Sequence, residues 1–192
     1  MKLPIIIWLC TLSAVACSQE KKEEQIAAAV MAAPESQRAE ATVYGFDGNG
    51  DLVLLRKGSN NLLCLADNPQ KKGFNVACYH KDLEPFMARS RALRKEGKNN
   101  GEIFKIKEEE VKAGKLKMPE NPTTLHILSG ADGIYNAETG MVDNASYRYV
   151  VYIPYATRET TGLPLKPVTN GGPWLMDPGT HRAHIMISTA KK

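Results

Sequence analysis

The sequence predicts an α+β fold: a small antiparallel β-sheet with one or two packed helices, rich in loops and held by one disulfide. Three observations carry that expectation. Between Asp51 and Tyr79, short apolar runs at Val53–Leu55, Leu62–Leu65 and Phe74–Cys78 alternate with turn signals at Gly58-Ser59-Asn60-Asn61 and Asp67-Asn68-Pro69. After Cys78 the apolar spacing becomes helical. Tyr147–Ile153 (YRYVVYI) then concentrates aromatic and β-branched residues, which suit a pleated, half-buried surface. The composition agrees: 43% hydrophobic and 24% charged residues belong to a folded chain, and 15 glycines with 11 prolines favour a loop-rich domain over a helical bundle. The net charge of +4 is spread along the chain, with no basic stripe interleaved with aromatics. That excludes a dedicated nucleic-acid surface.

The N-terminus reads as an address. Lys2 supplies a short positive region, Leu3–Val15 is mostly apolar, and small residues lead to Cys17. Residues 1–16 are expected to be a secretory signal. The stretch is too short, and too soon followed by Glu20-Lys21-Lys22-Glu23-Glu24, for a comfortable membrane span. Ala14-Val15-Ala16 fits ordinary signal cleavage. The same tripeptide before Cys17 also resembles the bacterial lipoprotein signal, although Ala14 stands where leucine is usual. On that reading Cys17 carries a diacylglycerol and a palmitate-type acyl chain, which anchor the chain in a membrane. The expected location is the bacterial envelope, as a membrane-anchored lipoprotein or in the periplasm.

Export bears on the cysteines, because disulfides persist outside the cytosol. Cys10 leaves with the signal and Cys17 is lipidated or terminal, so Cys64 and Cys78 remain as an even pair. A bridge between them closes a loop of about 15 residues, for which chain entropy gives about 3 kcal/mol. Two buried free thiols, or a metal site that includes His80, remain as alternatives, and the spacing is not CxxC.

Along the chain, residues 17–40 are expected to form a tether and a short N-terminal helix at about Glu23–Ala33, where alanines dominate and Pro34 sets the limit. That helix either packs on the domain or remains part of the tether. A further reading makes it an interaction segment for an envelope partner, and removing everything before Ala41 then abolishes the partner and leaves the fold intact. A single α+β domain is expected over 41–190. Thr42–Phe46 and Val53–Arg56 read as strands joined by the Asp47-Gly48-Asn49-Gly50-Asp51 turn, whose acids do not complete a calcium loop. Asp82 is placed to cap a helix whose stripe is Leu83, Phe86, Met87, Ser90 and Leu93, with Arg91, Arg94 and Lys95 on a solvated face and Gly97 at its end. A second helix is expected near Glu102–Ala113. Leu125–Leu128, Tyr147–Ile153 and Ala183–Ile187 are expected as strands. The 26 residues from Tyr155 to Thr180 show no regular pattern. With Tyr155 and Trp174 they are a possible ligand loop.

Chemistry is sparse in the pattern. His126, Asp177, His181 and His184 are candidate metal or acid–base residues, which converge only if His181 sits in the turn before the last strand. On one continuous strand His181 and His184 face opposite sides. The chain lacks GxSxG, HExxH, a Walker loop, a dinucleotide fingerprint and CxxCH. No cofactor is expected.

The order AAPES, ATV, LRKGSNNLLCLADNP, FNVACY and a final HIMI resembles a family of small exported bacterial proteins with a two-cysteine segment and a C-terminal His-x-Met ending. The resemblance spans Ile26–Ser188. It departs at Leu62-Leu63, where a glycine–tryptophan pair is expected, and in the more basic helix after Cys78. It implies export and brings no activity, cofactor or catalytic residue. The expected function is therefore noncatalytic binding or a structural role in the envelope. The alternative is a small periplasmic hydrolase or metal-dependent enzyme using the C-terminal histidines.

Overall fold

In the computed structural model, residues 10–189 are described, with the backbone alone for 10–18. The first half of the expected signal and the side chain of Cys17 lie outside the described residues, so cleavage and lipidation there have no structural counterpart. Among the described residues no helix is long and apolar enough to cross a membrane.

The fold is α+β with one disulfide, but it is not the small antiparallel sheet that the sequence predicts. Among the described residues, ten strands and four α-helices follow in the order α1 (Cys10–Ala29), β1 (Thr42–Phe46), β2 (Leu52–Arg56), β3 (Leu62–Leu65), β4 (Phe74–His80), α2 (Glu84–Lys95), α3 (Asn100–Lys112), β5 (Thr123–Gly130), β6 (Ile134–Asn136), β7 (Met141–Asp143), β8 (Ser146–Tyr152), α4 (Arg158–Thr161), β9 (Trp174–Met176) and β10 (His184–Ser188). Eight strands form one mixed sheet, ordered β2-β1-β3-β4-β5-β8-β10-β9, and β6–β7 is a separate hairpin. The sheet is mixed because β1 pairs parallel with β3, whereas every other pair is antiparallel. Seven of the eight sheet strands match expected apolar runs, and only the three-residue β9 carries too little periodicity to show. What local pattern does not specify is that all eight join one sheet and that β1 pairs parallel with β3.

The parallel pair requires the β2–β3 connection to step over the chain entering β1. Ser59 and Asn60 donate their backbone N–H groups to the Glu40 carbonyl, and the Gly58 N–H donates to Thr42 Oγ1. A Cβ at Gly58 would run into the Glu40 carbonyl and the Ala41 backbone. Gly58→Ala is therefore expected to destabilise the protein by about 1–3 kcal/mol, because the backbone must shift to accept the methyl. The midpoint of urea unfolding measures this, and an unchanged midpoint would show that the crossing yields freely.

Alternation divides the sheet into two faces. On one, Val43, Cys64, Val76, Cys78 and Leu128 pack with Ile26, Ala28, Ala29, Val30, Ala32 and Ala33. The N-terminal segment is thus part of the core. Its α-helix ends at Ala29, where Val30–Ala32 tightens into a 3-10 turn, and its observed start at Cys10 lies well before the expected Glu23. Gln25 fixes it to β1 by giving a hydrogen bond to the Phe46 carbonyl and accepting one from the Phe46 N–H, at 3.0 and 2.8 Å. A truncation to Ala41 would strip this face of its cover and is expected to destabilise the fold.

On the other face, Tyr79, Leu125, Val150 and Tyr152 pack under Leu83, Phe86 and Leu116, with Met87 and Val111 beside them. α2 and α3 cover this face. Pro85 lies in the first turn of α2, a place where its missing N–H costs nothing. Asp82 does not cap α2 as expected: Lys81–Leu83 forms a 3-10 turn, and His80 accepts from the Asp82 N–H. α3 begins with a full capping box, in which Asn99 accepts from the Glu102 N–H and Glu102 accepts from the Asn99 N–H.

Cys64 and Cys78 face each other across β3 and β4 and are joined in a disulfide, with Cα atoms 4.0 Å apart. The alternatives of free thiols and of a metal site with His80 are set aside by that bond.

Candidate functional site

The helical face holds a cavity of about 210 Å³ between α2, α3, Tyr152 and the turn at His181-Arg182. Its most unusual occupant comes from α3. Ile103, Lys107 and Val111 stand four residues apart and so share the face that meets the sheet. Lys107 takes the middle position of an otherwise apolar stripe and is only 3% exposed. Its Nζ donates to Ser90 Oγ at 2.5 Å and lies 2.9 Å from the centre of the Phe86 ring. Ser90 in turn donates to the Phe86 carbonyl one helical turn back. No carboxylate lies within ion-pair reach of Lys107 among the described residues. Burial, then the nearby Arg182 and Arg94, push the amine down to about 7, against a smaller opposing pull from Glu110.

His181 is fully buried. Glu108 accepts from its backbone N–H at 3.0 Å and also meets its Nδ1. Burial alone would raise the Glu108 carboxyl, but donors from Lys112 and from both groups of His181 outweigh it and hold the carboxyl at about 2. Burial keeps the imidazole below its ordinary range despite that carboxylate. A neutral ring whose Nδ1–H faces a carboxylate has a bare lone pair on Nε2, and Nε2 is buried with no partner among the described residues. The ring packs against Phe86 and Phe104, at 5.6 and 5.0 Å between centroids.

Charged pairs frame the cavity. Arg89 grips Glu110 through Nε and a terminal nitrogen, with a closest approach of 2.7 Å, and so ties α2 to α3. Arg91 binds Glu84 at 2.5 Å and the Tyr79 hydroxyl at 3.0 Å, while that hydroxyl donates to Glu84. Arg182 pairs with Asp177 at 2.7 Å and lies over Phe104. Arg94 lines the cavity without a carboxylate partner among the described residues. Of the basic residues expected on a solvated face of α2, Arg94 and Lys95 are exposed, whereas Arg91 is half-buried and paired with Glu84; Arg94 also borders the cavity.

The four candidate residues are not assembled into one site. His126 pairs with Cys78 in register and so projects toward the α1 face, edge-on to Tyr149. His184 opens β10 on the opposite, helical face, where it packs on Tyr152 and its Nδ1–H donates to the Arg182 carbonyl at 2.7 Å. Asp177 is engaged by Arg182. His181 sits in the turn before β10, and it meets Glu108 from α3 instead of the other three. Among the described residues no group of three or more His, Cys, Asp or Glu could hold a metal ion. Tyr155 and Trp174 do not line the cavity. Trp174 lies in β9, in register with Met186, and Tyr155 is exposed in a left-handed turn. The loop between them is partly regular, containing α4 and the start of β9.

A wider depression of about 620 Å³ lies beside Lys81, Asp82, Lys117 and Met118, but none of its lining residues is buried. It is a surface groove. No protein-family model, curated protein or solved structure matches this chain.

Proposed function

We propose that this is an exported bacterial envelope protein, anchored through lipid on Cys17, that acts by binding a small molecule rather than by catalysis. The observation that carries the binding part is the cavity on the helical face. It is walled by two regular helices and the sheet, and it combines aromatic surface with a few convergent polar groups, as ligand sites do. The export and anchoring parts rest on the leader ahead of Cys17 and on the Cys64–Cys78 bridge, a bond typical of oxidising compartments.

Intact mass of the mature protein from its native envelope, with and without reduction, tests the address. The expected result is a chain that starts at Cys17 and carries a diacylglycerol and an acyl chain, with a gain of about two daltons on reduction of its single bridge. A mass for residues 17–192 without lipid would remove the anchor and leave simple secretion. NMR titration with a fragment set tests the binding reading. Shifts are expected to concentrate on α2, α3 and the His181 turn, and shifts centred elsewhere would move the site.

The catalytic alternative keeps one supporting feature. Glu108 orients His181 as a general base is oriented, with Nε2 left open. His181→Gln would abolish any hydrolytic activity found on this reading, and loss of binding alone would assign the ring to the ligand.

A further inference from the structure

Resting on the cavity reading above, we propose that the ligand is a small carboxylic acid with an apolar body, its carboxylate met by Lys107, Arg94 and Arg182 and its body by Phe86, Ile103 and Phe104. The size follows from the space: about 210 Å³ lies below the roughly 300–1,000 Å³ of pockets for drug-sized ligands, so the occupant is small. The charge follows from an imbalance. Four cationic side chains line one cavity, and among the described residues only Arg91 and Arg182 have carboxylates of their own, which leaves Lys107 and Arg94 without one. Glu110, the carboxylate that attracts Lys107, is already held by Arg89. The other charged neighbours of Lys107 are Arg94 from α2 and Arg182 from the turn before β10, and both repel it. His181, from that same turn, also faces it.

A carboxylate placed here removes that repulsion and gives Lys107 an acceptor for its remaining hydrogens, since Ser90 Oγ takes only one. It also gives the buried His181 Nε2 a partner once the ring is protonated. The body has its own recognition. Phe86 and Ile103 are buried, and Phe104 is half-buried beside them. An inorganic anion would leave that surface uncovered. Binding is accordingly coupled to proton uptake. A ligand that needs the lysine charged holds best where the empty site is already protonated, and its affinity falls as pH rises above neutrality.

The test is calorimetric titration of the full mature protein with benzoate, benzyl alcohol and inorganic phosphate at pH 6 and pH 9. Benzoate is expected to bind at pH 6 at least tenfold more tightly than at pH 9, and at least tenfold more tightly than either benzyl alcohol or phosphate at pH 6. Lys107→Met is expected to lose the advantage of benzoate over benzyl alcohol while still unfolding cooperatively. Arg94→Gln, a change at an exposed position, is expected to weaken benzoate and leave benzyl alcohol unchanged. Equal binding of benzoate and benzyl alcohol to the native protein, or unchanged benzoate affinity in both variants, overturns the proposal while leaving a cavity that binds small molecules. Phosphate binding as tightly as benzoate overturns the apolar body. Binding of none of the three overturns both the acid and the cavity reading.

Discussion

Lys107→Met is expected to stabilise the protein below pH 7 by about 3–5 kcal/mol and to remove most of a rise in native stability between about pH 7 and 10.5. The folded amine loses its proton near 7, whereas a lysine in the unfolded chain does so near 10.5. Between those values the unfolded chain holds more protons, so raising the pH favours the fold. Below 7 both states are protonated, and the native protein carries the full penalty of a buried charge without a counter-ion. Methionine has similar length and no charge, so it fills the same space without that penalty. Urea unfolding at pH 6 and pH 9.5 measures both effects. The window stops there because Tyr79 and Tyr152, buried with phenols raised above their ordinary value of 10, favour the unfolded chain at higher pH. Parallel pH profiles for native protein and variant would show that Lys107 is not held neutral by its surroundings.

The paired change Cys64→Ala with Cys78→Ala is expected to cost about 3 kcal/mol or somewhat more. The bridge spans a sequence separation of 14, so its release frees a loop of modest length in the unfolded chain. Both cysteines are fully buried in the α1 face, so the two missing sulfurs also leave a small void next to Val43 and Val76. The urea midpoint of the double variant, set beside that of native protein with and without reductant, separates the two contributions. Reduced native protein reports the bridge alone, and the further drop in the variant reports packing. A native protein indifferent to reductant would place the stability of this hairpin in its sheet contacts.

Much of the fold was legible where local pattern is strong. The strands Thr42–Phe46 and Leu62–Leu65 match the reading from apolar runs, and the turn between β1 and β2 is closed by Asp47, whose carboxylate accepts from Asn49 and Asp51. The helix after Cys78 kept its stripe, with Phe86, Ser90 and Leu93 buried. The helix expected near Glu102–Ala113 runs from Asn100 to Lys112. The site was less legible, though one signal was present. Lys107 interrupts a buried helical stripe and Ser90 interrupts another, and such positions are where a buried polar contact forms when two helices pack together. Attention to the C-terminal histidines found His181 but gave it the wrong neighbours.

The sequence by itself determined the alternation of faces, the helical stripes and the leader-like N-terminus, because each depends on residues near one another in the chain. It made Cys64–Cys78 the expected bridge, which the structure then showed. Only the tertiary structure decided the eight-strand order, the parallel β1–β3 pair, the burial of Ile26–Ala33 and the meeting of His181 with Glu108, which lie 73 residues apart. Local periodicity specifies which side of an element is apolar, but not which distant element covers it. The charge of Lys107 acquires its chemistry only when that cover excludes water and leaves it facing arginines.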